Sequence, residues 1–179
     1  VGAPLSTPKS PGGSVGAISR LAELNLNAFE MGWVRSVRVS ETTCAKIKAV
    51  GEEKKISLSV HAPYYINMNA REEEWPKARK RLMDAAHYGY LAGAKYVIFH
   101  PGSCFDEAWN SVLPRIRERL MDCIEELRSV DNTIMLRPET MGKIGVIGSV
   151  AQVLDICEGV DWAEPCLDFA HVHARPGNG

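Results

Sequence analysis

Lys95-Tyr96-Val97-Ile98-Phe99-His100-Pro101 is a short aliphatic and aromatic run that stops at a histidine followed by a proline. Its length and side-chain types are those of a strand buried on both faces, and Pro101 ends regular pairing. Upstream, Ser57-Leu58-Ser59-Val60 leads into His61-Ala62-Pro63 in the same way. Downstream, Thr133–Leu136 leads into Arg137-Pro138-Glu139, and Pro165-Cys166-Leu167 leads into Asp168. Metal-ligand residue types therefore recur at strand ends, at intervals of roughly 30–40 residues. A parallel barrel of eight β/α units uses about 31 residues per unit and keeps its active site at the C-terminal strand ends.

Outward from these strands, helical and strand patterns alternate. Ser14 is expected to cap a helix whose apolar positions are Val15, Ile18, Leu21, Ala22 and Leu24. Further helices are expected from Ser40-Glu41 to Lys54, over Glu72–Leu91, from Asp106 to Leu127 with Pro114 as a kink, and from Gly148-Ser149 to Cys157. Strands are expected at Ala28–Trp33, Ile56–Val60, Tyr96–Phe99, Thr133–Leu136 and from Cys166 to Phe169, with residues 1–4 as the tail of an earlier one. This order implies parallel pairing with right-handed crossovers. The fold expected is an α/β TIM-type (β/α)8 barrel, one domain over residues 1–179, and incomplete. It would hold about five whole strands and a remnant, lacking the first strand and the last units. A doubly wound sheet competes, but it would gather its ligands at one switch point, not over four successive units.

The bulk properties remove other classes. Net charge is −1, so no global basic field draws the chain to nucleic acid, and DNA binding would need a local positive face or bound cations. The 5 cysteines show no CxxC spacing and, with no secretory signal, fit a reducing cytoplasm. No run has transmembrane length, so no membrane partner is expected. A start at Val1 without Met and a stop at Gly179 just after a strand signal suggest the middle of a longer protein.

Two strand-end histidines in consecutive units, His61 and His100, suit a zinc site. Glu139 reads either as the partner of Arg137 or as a carboxylate bridging two cations. Asp168 and His171 suit one or two metals, and His173, on the same strand parity as His171, would support them. His87 lies mid-helix and reads as structural. Lys77, Arg79, Lys80 and Arg81 share a helix with Glu72, Glu73 and Glu74 and read as a solvated face. Arg35 and Arg38 follow the strand Phe29–Trp33, while Tyr64, Tyr65 and Asn67 follow His61. These mouth loops would contact phosphates and fill a base stack, or simply pack.

With these residues the chain resembles the endonuclease IV family, apurinic/apyrimidinic endonucleases on a xylose-isomerase-like barrel. The motifs are HAPYYINM at 61–68, HPGS at 100–103, ETMGK at 139–143 and CLDFAH at 166–171. The resemblance implies DNA repair by hydrolysis of the phosphodiester 5′ to abasic sites in double-stranded DNA. It further implies up to three zinc ions, with manganese or iron as substitutes. By motif, His61 and His100 hold the first metal, Glu139 bridges the first and second and is the catalytic carboxylate, Asp168 holds the second, and His171 the third. Tyr64, Arg35 and Asn67 would contact DNA. A hydroxide between two zincs would attack in line, with the third stabilising the departing 3′ oxygen.

The loop after Glu139 is one residue shorter than usual for the family, and Phe169-Ala170 replaces a Thr-Cys pair. The family's remaining ligands lie beyond residue 179, so the chain alone is expected to be inactive or very weak. The protein is expected to be cytoplasmic, and a monomer when complete. Two other readings stay open: a divalent-metal sugar isomerase or epimerase on the same barrel, and a degenerate barrel that binds without turnover.

Overall fold

A computed structural model describes residues 12–176. The elements run α1 (Gly13–Glu23), β1 (Ala28–Gly32), α2 (Glu41–Lys54), β2 (Ser57–His61), α3 (Trp75–Leu91), β3 (Tyr96–Phe99), α4 (Trp109–Ser129), β4 (Met135–Pro138), α5 (Val150–Cys157) and α6 (Phe169–Ala174). The strands form a parallel sheet in the order β1-β2-β3-β4. Each new strand adds to the same edge in chain order. A doubly wound sheet would reverse at a switch point, and none occurs among the described strands. The strand tail expected at residues 1–4 lies outside the described residues.

Local chemistry sets the helix ends. Ser40 caps α2 by accepting from the Thr43 amide, and Lys55 closes it in a left-handed conformation. Ser149 and Gln152 form a capping box on α5. Ser14 does not cap α1: the helix starts at Gly13 and places Ser14 in its first turn. α3 starts at Trp75, not Glu72, with Pro76 in its first turn. Pro114 lies inside α4 without breaking it.

The fifth strand expected from Cys166 is absent as a strand. Two isolated bridges, Leu136 with Ala163 and Glu139 with Cys166, join that segment to β4. Pro165 lies between them and has no N–H to continue the ladder. Asp168 then accepts from the His171 amide at 2.9 Å and turns the chain into α6. This also removes the strand parity assigned to His173. On a helix, residues two apart lie on nearly opposite sides, and His173 is exposed.

Side chains alternate across the sheet. Phe29, Met31, Leu58, Val60, Val97, Phe99 and Leu136 are buried in one core with Ile18, Leu21, Ile47, Leu82, Ile116 and Leu120 from the helices. The other parity, Glu30, Ser59, His61, Tyr96 and Arg137, faces the concave side. No helix among the described residues is long and apolar enough to cross a membrane.

The loops at the C-terminal strand ends are pinned to one another. Asn67 Oδ1 accepts from the amides of Asn69 at 2.9 Å and Ser103 at 3.2 Å, and Met68 N donates to Pro101 O at 2.8 Å. Buried Arg119 donates to the carbonyls of Met68 and Ala70 at 2.9 and 2.7 Å and lies over the Trp75 ring. Gly102 has φ 110°, and a Cβ there would meet Asn67 Oδ1 at 2.1 Å and Asn67 Cα at 2.7 Å. Gly102→Ala is therefore expected to lose more than about 2 kcal/mol of stability in urea unfolding. An unchanged midpoint and slope would show that the two loops are not packed this way.

Candidate metal centre

The register of β2, β3 and β4 brings three strand ends level. His61 is the last residue of β2, His100 follows β3, and Glu139 follows β4. Glu139 is held there by its amide, which donates to Phe99 O at 2.9 Å. Both imidazoles aim Nε2 at the same oxygen: His61 Nε2 lies 3.2 Å, and His100 Nε2 3.1 Å, from Glu139 Oε2. His61 Nδ1 lies 2.9 Å from the Ala62 carbonyl oxygen. A carbonyl only accepts, so Nδ1 carries the proton. Neutral His61 would then point a lone pair at a carboxylate lone pair. Only a proton or a cation between them makes that contact favourable.

A second group shares the same carboxylate. Ligand atoms of Glu139, Asp168 and His171 lie within 4.8 Å of one another, as do those of His61, His100 and Glu139. Asp168 Oδ1 is occupied by the His171 amide. His171 Nδ1 lies 2.9 Å from Thr140 O, and the same nitrogen lies 3.4 Å from Asp168 Oδ2 and 4.0 Å from Glu139 Oε1. Thr140, wholly buried, fixes this corner: its hydroxyl accepts from Asp168 N at 2.9 Å, and its own amide donates to Cys166 O at 3.0 Å. Two imidazoles and a bridging carboxylate fit a borderline divalent cation such as zinc, and the second group adds a site for another. Burial pushes the nearby Cys166 thiol up to about 12 in the metal-free chain.

Burial raises the Glu139 carboxyl, but hydrogen bonds from His100 and His61 outweigh it and hold it at about 2. Burial lowers the His61 imidazole, yet the bonds to Glu139 and the Ala62 carbonyl outweigh that and leave it above 6.5. Tyr64 roofs the pair: it stacks on His100 at 5.0 Å and 17°, meets His61 edge-on, and is 51% exposed.

The cleft is lined by Glu30, His61, Tyr64, His100, Glu139, Asp168 and His171. Tyr64 and the five residues expected to hold metal therefore come together. Arg137 does not pair with Glu139; it pairs with Glu164 and stacks on Tyr96. Arg35 is exposed on the neighbouring loop, in a shallow basin with Arg38 and Trp33. Asn67 spends its amide oxygen on the loop backbone. Glu30 and Thr140 were missed. A glutamate between Phe29 and Met31, both buried, was the signal for the first, and the second lies inside the motif ETMGK, beside Glu139.

A model of the xylose isomerase-like TIM barrel family matches residues 18–179. An uncharacterized protein of Methanocaldococcus jannaschii is 35% identical over 160 residues, which cover 89% of this chain and 57% of that protein. Endonuclease 4 of Thermus thermophilus is 26% identical over 168 residues, 90% of this chain and 60% of that protein. The crystal structure of Thermus thermophilus endonuclease IV superposes with a TM-score of 0.73 at 24% identity, covering 90% of this chain and 60% of the other. D-psicose 3-epimerase of Clostridium cellulolyticum shares the fold at a TM-score of 0.72 and 13% identity, over 94% of this chain and 62% of the other. The chain thus spans about three-fifths of the length of these curated relatives.

The two shifts set the pH behaviour of the metal-free chain. His61, raised when folded, contributes stability that is full below pH 6.5 and lost as pH rises through its folded value. Glu139, depressed when folded, contributes stability that is full above pH 4.5 and lost as pH falls toward about 2. Chelator-treated chain should therefore melt highest between these limits, and its Tm should fall toward pH 8. Added zinc displaces the proton, so its stabilising effect should grow over the same rise. Differential scanning fluorimetry from pH 4 to 8 checks both, and a zinc effect that shrinks with pH would exclude ligation through these groups.

Proposed function

The chain belongs to the xylose isomerase-like TIM barrel family, and within it we propose that it carries the metal site of an endonuclease cutting DNA 5′ to abasic sites. The observation that supports this most is the sharing of Glu139 by two ligand groups. A carboxylate common to two cations places them side by side, the arrangement used to hold both the attacking and the leaving oxygen of a phosphodiester. The similarity to endonuclease 4 proteins over most of the chain points the same way.

Zinc bound here would polarise a phosphoryl oxygen and lower the pKa of water toward about 7. The chain's own residues do the rest. His61 and His100 supply neutral nitrogen ligands, with His61 fixed in one tautomer by the Ala62 carbonyl. Glu139, held well below the usual carboxylate range, stays ionised at every working pH. Asp168 and His171 complete the far side of the cleft. Tyr64 presents an exposed ring over His100, where it can lie against the gap left by a missing base. Arg35 stands on the adjacent rim to meet a phosphate. Asn67 serves by holding the Tyr64 loop, since its amide oxygen is taken.

The test is a zinc-supplemented assay on a labelled duplex with one abasic-site analogue, using an intact duplex as control. It is run with this chain alone and with a protein carrying it together with the remaining length of its relatives. The longer protein should nick specifically 5′ to the lesion, and the chain alone weakly at most. His100→Ala and Glu139→Gln should each lower the rate by more than about 100-fold, beyond what the loss of an outer ligand partner costs. Zinc binding without any lesion-specific nick in the longer protein would reject the nuclease and favour a sugar isomerase or epimerase.

A further inference from the structure

Glu30 is the one cleft-lining carboxylate that neither ligand group uses. It lies at the middle of β1, between Phe29 and Met31, which are buried against the helices. Parity turns it to the concave side. The register pairs Glu30 with Ser59 and Gly32 with His61, so Glu30 stands one layer beneath the two-histidine pair. Among the described residues it makes no hydrogen bond and no ion pair, although Glu139 and Asp168 in the same cleft each make at least one. Burial raises its carboxyl, and the charge of His61 across the cleft is the largest influence opposing that rise.

The space above it is open. Gly32, the next residue on that side, has no side chain, and a Cβ there would meet only Val34 Cγ1, at 3.9 Å. Nothing from β1 therefore stands between the Glu30 carboxylate and the His61 ring. The charge count also asks for it. His61, His100 and Glu139 offer a dication two neutral nitrogens and a single negative charge. That charge is itself shared with the second group, so one more carboxylate a layer below adds negative charge where the first site is short of it.

We propose that Glu30 is a positioning residue of the cation site, whose negative charge strengthens divalent-cation binding from beneath at the expense of metal-free stability. This rests on the cation reading of the cleft and not on DNA as substrate. It acts from one layer away and need not touch the ion.

The experiment titrates zinc chloride into chelator-stripped chain by calorimetry and measures the Tm of each stripped variant. Glu30→Gln keeps the size and removes the charge, so it should weaken zinc binding by about 10-fold or more, the scale of losing a supporting group around a metal. It should also raise the Tm of the stripped chain, because the cost of burying that charge is gone. Glu30→Asp should stay close to the wild type in zinc affinity, which a merely structural role would not predict. If wild type binds zinc and His100→Ala loses it while Glu30→Gln binds within twofold of wild type, Glu30 has no such role and the cation site stands. If wild type binds no zinc, the cation reading falls and this inference falls with it.

Discussion

His61 and His100 direct their Nε2 atoms at one oxygen of one buried carboxylate, and for His61, whose Nδ1 already holds the proton, that contact is unfavourable unless positive charge lies between them. Much of the cleft is arranged around this constraint. The Ala62 carbonyl fixes the tautomer of His61, so the proton cannot move to the other nitrogen and relieve the clash. Burial strips water from Glu139, so it depends on those two imidazoles for its charge. Tyr64 covers the pair on one side and Glu30 lies under it on the other. The group behaves as one electrostatic unit, and a proton or a metal ion can complete it.

The loops that frame the unit are tied down by side chains bonded to backbone groups. Thr140 links the end of β4 to the Asp168 turn through both its hydroxyl and its amide. Asn67 links the loop after β2 to the loop after β3, at a point where Gly102 leaves no room for a side chain. Arg119, on the helix after β3, reaches across to the carbonyls of Met68 and Ala70. Each tie joins neighbouring β/α units, so a ligand on one strand end is held in place by the next unit. This suits a site assembled from several strands, where small shifts at one strand end would spoil the ligand geometry.

Much of this was legible in the chain. Short apolar runs ending in His61, His100 and Glu139 gave the strands, their parallel order and the level of the site, because strand ends in a parallel array share one edge. Ser40 and Ser149 gave their helix starts through local capping. The reading failed after Pro165, where the missing N–H of the proline and the cap formed by Asp168 override strand composition and turn the segment into a helix. That change moved His173 away from His171 and out to solvent. Of the two readings open for Glu139, the pair with Arg137 does not form: Arg137 faces Glu164 and the Tyr96 ring.

Sequence alone determined the β/α order and the placement of His61, His100 and Glu139 at strand ends, because periodicity, capping and residue spacing are local properties of the chain, while its motifs marked the family. Only the tertiary structure decided that Glu139 is shared by two ligand groups, that Asn67 is spent on the backbone, and that Glu30 belongs to the cleft. Those facts depend on strand register and on which lone pairs are already occupied. Both arise from contacts between residues tens of positions apart, which no local pattern records.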